Sequence, residues 1–205
     1  MGTRSARLAV LLSGSGRSLE NLAEVIAASE LEARIELVIS SRRKAYALVR
    51  AERLGLESLV LRPRDFESAL AYSEAVFAEI RSREIDLVCL MGFLTLLLVP
   101  EGFEKRVLNI HPALLPEFGG KGMYGERVHR AVLAAGRGVS GCTVHLCDNE
   151  YDHGPILLRR ECPVLPDDSP DSLAARVFEE EKIAYPEALR RLIAGGLPDE
   201  SSICG

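Results

Sequence analysis

Asn109 and His111 stand two residues apart in VLNIHPALLPEFGGKGMYG, residues 107–125, where an apolar run gives way to a loop with two prolines and four glycines. At strand spacing both side chains point to one face. An amide and an imidazole side by side can donate to an oxygen that gains charge during a reaction. They can equally tie down the loop that follows. Pro112 and Pro116 stiffen that loop and its glycines permit positive φ, which suits a shaped substrate pocket. A third group is available in DNEYDHGP, residues 148–155, which carries Asp148, Glu150 and Asp152. Turns select Asp for local reasons, so any one of these acids also reads as turn chemistry. An acid beside His111 is expected to hold the ring and raise its pKa, favouring the imidazolium. The sequence contains no G-x-S-x-G elbow. An Asn–His–Asp set without an activated Ser or Cys fits transfer to an external nucleophile, such as a substrate amine, with no covalent enzyme intermediate.

A second candidate is GSGRS: Gly14, Ser15, Gly16, Arg17 and Ser18. It lies between an apolar run and a helical pattern. Glycines allow a tight turn and close approach of a ligand, and a helix start offers free N–H groups to an anion. Arg17 adds a cation, and Ser15 and Ser18 add hydroxyls, so the loop reads as a phosphate site. The plainer reading is a strand-to-helix turn with Ser18 as N-cap. The full dinucleotide fingerprint is missing, because Leu19 stands at the third glycine and Ser40-Ser41-Arg42-Arg43 replaces the acid after the second strand. Arginines there could hold the extra phosphate of NADP, which keeps an NADP oxidoreductase as a rival. A zinc site at Cys142, His145 and Cys147 is not expected. Strand alternation turns Cys142 away from the other two, and structural zinc needs four converging ligands.

The elements that must position these groups alternate. Strands are expected at Leu8–Leu12, Ile35–Ile39, Ser58–Leu61, Ile85–Met91 and Arg106–Ile110, with helices at Leu19–Ala28 and Lys44–Leu54 and a third from an Asp65 N-cap to Arg83. Apolar strands separated by helices indicate a parallel sheet covered on both faces. A helix at Arg127–Ala135 follows the long loop. Two alternating strands, Val139–Cys147 and Pro155–Val164, are close enough in sequence to pair. A last helix runs from Asp171 to about Ile193, with a bend expected at Pro186. The reading is α/β: one Rossmann-like domain over residues 1–205, its sheet mostly parallel with helices on both faces, and an antiparallel C-terminal extension.

The chain has 205 residues, 47% hydrophobic and 27% charged, with net charge −5. That composition indicates a globular fold and lacks the basic surplus of a nucleic-acid binder. The opening MGTRSARLAVLLSGSG is too short in its apolar core to read as a signal peptide, and no apolar run is long enough to span a membrane. The cysteines are odd in number and irregular in spacing, and several lie in predicted strands as small hydrophobes. A reducing cytoplasm is expected.

LAVLLSGSGRSLENL, IDLVCLMGFLTLL, VLNIHPALLPEF, GCTVHLCDNEYDHGPIL and AARVFEEEKIAYP resemble the phosphoribosylglycinamide formyltransferases, within the folate-dependent formyltransferase superfamily, along nearly the whole chain. The resemblance implies the formyltransferase fold and transfer of a formyl group from 10-formyltetrahydrofolate to the amine of 5′-phosphoribosylglycinamide, without metal. It implies that Asn109 and His111 stabilise the oxyanion, while Asp152 orients His111 and helps move the proton. Gly14, Ser15, Gly16, Arg17 and Ser18 would hold the phosphate. Leu94, Thr95, Leu96 and Leu97, with Asp148, Asn149, Glu150 and Tyr151, would cradle the folate. Glu181 matches a carboxylate that binds ribose hydroxyls. On a helical wheel it falls inside the apolar arc of Val177, Ala184, Ala188 and Leu192, where a carboxylate needs a partner or ligand.

Some positions depart from the family pattern. Arg17-Ser18 stands where Ser-Asn is frequent, Thr95 replaces an arginine that meets the folate tail, and His153 replaces glycine and reads as facing solvent. His129 and His145 read as structural, with His145 the nearer to the site. Methionyl-tRNA formyltransferase and formyltetrahydrofolate hydrolase would need a further domain, which this reading does not expect. A formyltransferase acting on a sugar-nucleotide amine and a non-catalytic folate or nucleotide binder stay open. The expected partners are small molecules, with neither nucleic acid nor membrane, for a monomer or homodimer.

Overall fold

The structure is a computed structural model that describes residues 4–195; Cys204 lies outside them. Its first strand, β1 (Ala6–Leu12), is almost wholly buried. Alternation sends Leu8, Val10 and Leu12 into one hydrophobic core and Ala9 and Leu11 into another, so the sheet carries a core on each face. The chain continues through α1 (Arg17–Ala27), β2 (Ala33–Ser40), α2 (Tyr46–Arg53), β3 (Ser58–Val60), a 3₁₀ turn (Pro63–Asp65) and α3 (Ala69–Ser82). Next come β4 (Leu87–Leu90), β5 (Val107–His111), α4 (Glu126–Ala134), β6 (Val139–Leu146), β7 (Ile156–Pro163) and α5 (Pro170–Ala194). One seven-stranded sheet has the order β3-β2-β1-β4-β5-β6-β7. β1 to β5 are parallel, and β6 and β7 are antiparallel additions. This is the mostly parallel α/β sheet with an antiparallel extension that the sequence predicts. After β3 the chain returns to the far side of β1, so the order reverses between β1 and β4. A cleft opens at the carboxyl ends of the strands flanking such a switch.

Three local expectations are corrected. Asp65 does not cap the third helix: it closes the preceding 3₁₀ turn and pairs with Arg62, while the Ser68 hydroxyl accepts from the Ala71 N–H. Ser18 does not cap α1, because Gly16 is the N-cap, with φ 80, and no side chain caps it. The fourth strand is shorter than its apolar run; just before it, Asp86 donates its N–H to the Arg7 carbonyl at 2.8 Å and accepts the Arg7 N–H through its carboxylate.

α5 opens with a reciprocal Ser169–Ser172 capping box and with Pro170 in its first turn. It runs on through Pro186 as one helix. Proline lacks the N–H that would bond to the carbonyl four residues back, that of Lys182. Asn21 on α1 donates its side-chain N–H to that carbonyl at 3.0 Å instead. The Tyr185 hydroxyl donates to the Leu108 carbonyl at 3.1 Å, which ties α5 to β5 one residue before Asn109.

Candidate active site

The cleft at the switch is a cavity of about 480 Å³, a size that suits small ligands. Its wall draws on the loop after β1, the segment after β4, the end of β5, the loop before α4, the turn after β6 and one face of α5.

Asn109 and His111 reach it because β5 alternates. Leu108 and Ile110 enter one core and Val107 the other, leaving Asn109 and His111 on the face of Val107. Antiparallel register sets His145 opposite Asn109 and Thr143 opposite His111. Thr143 secures the loop beyond: its hydroxyl donates to the Ala113 carbonyl at 2.7 Å and accepts from the Leu115 N–H at 3.0 Å. The Leu115–Pro116 peptide, undetermined by the sequence, is cis.

Asp152 sits at the centre. Its Oδ1 accepts from Asn109 Nδ2 at 3.3 Å, and its Oδ2 accepts from the Gly120 N–H at 2.9 Å. His111 Nδ1 lies 3.3 Å from Oδ2, and His145 Nε2 lies 3.6 Å from Oδ1. Asp152 adopts φ 55, a left-handed conformation that costs about 1 kcal/mol and that Asp tolerates better than most residues. Gly154, two residues on, leaves no choice of side chain, since an added Cβ would stand 2.0 Å from the Leu146 carbonyl oxygen. Burial pushes the Asp152 carboxyl up, but His145, His111 and the Gly120 N–H outweigh it and hold it below its ordinary value. It is a carboxylate at neutral pH.

His111 corrects an expectation. It is 3% exposed, and burial pulls its pKa below the ordinary value, against the upward pull of Asp152 and the Phe118 carbonyl. Asp152 acts in the direction the sequence suggests, but the depth of the site acts more strongly. His111 Nε2 lies 2.8 Å from the Phe118 carbonyl oxygen, so both ring nitrogens face acceptors. A neutral ring donates to only one of them. Asn109 is also more committed than two free donors would be: Nδ2 lies 3.1 Å from His145 Nε2 as well as 3.3 Å from Asp152. His145 Nδ1 donates to the Leu146 carbonyl at 2.8 Å, which fixes the ring with Nε2 toward Asn109 and Asp152.

His145 therefore belongs to the constellation, although the sequence reading left it structural. Register with β5, which sets it opposite Asn109, brings it there. His129 also lines the cavity, and its buried Nδ1 has no hydrogen-bond partner among the described residues. Cys147 is in the wall too, but burial pushes its thiol up, away from the nucleophilic thiolate.

At the GSGRS loop, Gly16 is required twice. Its φ is 80, and an added Cβ would stand 2.6 Å from that of Ala47 on α2. α2 fastens the loop, with the Ala47 N–H donating to the Gly14 carbonyl at 3.2 Å and Arg50 to the Ser15 carbonyl at 3.1 Å. With no side-chain cap on α1, the first-turn N–H groups remain available. Gly14 to Ser18 all line the cavity. Glu181 reaches it from α5; burial raises its carboxyl to about 7, with Arg17 pulling it down.

Leu94, Thr95, Leu96 and Leu97 line the cavity, as do Asp148, Glu150 and Tyr151. Asn149 does not: its side-chain oxygen accepts from the Val99 N–H at 2.8 Å and ties the turn to the segment after β4. His153 is exposed, paired through Nδ1 with Asp148 at 2.7 Å, which raises its pKa. Among the described residues no group of three His, Cys, Asp or Glu is placed to hold a metal ion.

The formyl transferase family profile matches residues 6–189. The phosphoribosylglycinamide formyltransferase of Haemophilus influenzae is 32% identical over 93% of this chain and 89% of its own length. The trifunctional purine biosynthetic protein adenosine-3 of Drosophila melanogaster is 37% identical over 95% of this chain, which spans only 14% of that protein. The crystal structure of glycinamide ribonucleotide transformylase 1 from Symbiobacterium toebii matches with TM-score 0.88 at 38% identity, covering 95% of this chain and 90% of that one. The chain belongs to the formyl transferase family and, within it, to the phosphoribosylglycinamide formyltransferases.

Proposed function

We propose that this enzyme transfers the formyl group of 10-formyltetrahydrofolate to the amine of 5′-phosphoribosylglycinamide, a step of purine synthesis. Residues 1–205 act as one formyltransferase domain on small molecules in the cytoplasm. Among the described residues no helix is long and apolar enough to cross a membrane. The observation that carries the reading is the convergence of Asn109, His111 and His145 on Asp152 in the same cavity as the GSGRS loop.

The acceptor phosphate sits on Gly14 to Ser18 and the ribose hydroxyls face Glu181. The pterin lies against Leu94 to Leu97 and the turn of Asp148, Glu150 and Tyr151, which Asn149 holds in place. The acceptor nitrogen attacks the formyl carbon, a C–N bond forms, and the carbonyl electrons move to oxygen. Asn109 and His111 donate to that oxygen by exchanging the 3.3 Å contact to Asp152 and the bond to Phe118. On collapse the bond to the folate nitrogen breaks. The proton lost by the attacking nitrogen reaches the leaving nitrogen by way of the Asp152 carboxylate and water.

The test offers purified protein 10-formyltetrahydrofolate with either phosphoribosylglycinamide or an amino-sugar nucleotide. Formylglycinamide ribonucleotide from the first, with no product from the second, is expected. Transfer to the sugar nucleotide alone, or folate binding without turnover, would overturn the assignment.

A further inference from the structure

Arg17 and Phe178 meet at the wall of the cavity. Arg17 is the first residue of α1 and Phe178 lies on α5, and the guanidinium carbon stands 4.2 Å from the ring centroid. Both residues line the cavity. Arg17 is exposed and makes no hydrogen bond or ion pair among the described residues, so its N–H donors are uncommitted. Lys182 lies farther from the same ring, at 5.9 Å, and pairs with Glu179. A long cationic side chain carries about 2 kcal/mol of rotamer entropy, and a ring face that holds the guanidinium plane removes part of that cost before a ligand arrives. Arg17 itself opens the first turn of α1, whose N–H groups lack intrahelical partners. Glu181, one turn beyond Phe178, presents a carboxyl to the same cavity. An anion there needs a fixed cation to offset it.

We propose that Phe178 is a positioning residue: its ring holds Arg17 where the guanidinium takes the substrate phosphate, and so sets the affinity of the cavity for a phosphorylated acceptor. This rests on the formyl-transfer reading for the identity of the acceptor, but not for the stack itself. A stack of about 1 kcal/mol corresponds to about fivefold in affinity.

Steady-state kinetics of wild type, Phe178→Leu, Phe178→Tyr, Arg17→Ala and Arg17→Ala/Phe178→Leu would test it, with circular dichroism to verify folding. Phe178→Leu should raise KM for phosphoribosylglycinamide about fivefold with kcat within twofold, and Phe178→Tyr should restore KM. The double variant should match Arg17→Ala, because Phe178 acts through Arg17. Multiplying effects of the two substitutions, or a Phe178→Leu loss confined to kcat, would overturn the proposal. Calorimetric titration with ribose 5-phosphate reads the stack without formyl transfer. A fivefold weakening in Phe178→Leu supports it even if phosphoribosylglycinamide is not turned over, which would refute the activity alone. Unchanged ribose 5-phosphate affinity in Phe178→Leu, or no binding to wild type, would refute the stack while leaving the activity standing.

Discussion

Asp152→Asn isolates the charge at the centre of the site. Asn has nearly the same shape and also tolerates the left-handed conformation that Asp152 adopts at φ 55, so the turn should survive. The carboxylate accepts from Asn109 through one oxygen and from the Gly120 N–H, at 2.9 Å, through the other. An amide has a single acceptor oxygen, so one of these two donors must face an NH₂ group. Losing a hydrogen bond to a charged group costs about 1.5–3 kcal/mol. A drop in melting temperature of about 3–12 °C follows for a chain of this size. The effect on turnover should be larger, because the carboxylate that relays the proton has gone. General acid–base groups contribute about 10²–10⁴-fold, and kcat should fall by about that factor. The assay is formyl transfer at saturating concentrations of both substrates, beside a thermal melt that verifies the folded state. A folded Asp152→Asn protein with turnover within threefold of wild type would refute the role given to this carboxylate.

Glu181→Gln removes a carboxyl whose folded pKa, about 7, lies above its ordinary 4.5. A raised carboxyl contributes stability that is fully present below pH 4.5 and is lost as pH rises through 7, a span of about 3 kcal/mol. The variant should therefore equal or exceed wild type in chemical-denaturation stability at pH 8, lose that advantage near pH 5, and show a raised KM for the acceptor; a flat stability difference across this range would contradict the assignment. Asn21→Ala leaves the Lys182 carbonyl, freed by Pro186, without its donor. It should cost about 1–2 kcal/mol in urea denaturation, and a loss below 0.3 kcal/mol would mean that water replaces the amide at no cost.

Much of the fold was legible because its strands are long apolar runs between amphipathic helices, and that pattern is local. The pairing of Asn109 with His111 was legible for the same reason, since a period of two needs no tertiary information. The missing parts depend on what other segments bring. His145 joins the site through register with β5, and His129 through the seat of α4, and neither is written near the residue itself. The resemblance puts Asn149 in the folate wall, but its oxygen accepts from the Val99 N–H. The pKa of His111 depends on burial, which the whole fold sets, and so its direction was misjudged from one neighbour. Proline frees the carbonyl four residues back, and nothing near Pro186 in the sequence shows that the distant Asn21 takes it up. Asp65 is a good cap by type, but it pairs with Arg62 in the preceding turn and Ser68 caps the helix instead.

The most direct measurement follows isotopically labelled formyl from 10-formyltetrahydrofolate in single-turnover mixtures of wild type and His111→Ala with phosphoribosylglycinamide. Label should appear in formylglycinamide ribonucleotide with wild type and slow by at least about 100-fold with the variant, while affinity for a folate analogue changes little. Equal rates of label transfer in the two proteins, or label that never leaves the folate in wild type, would contradict the account.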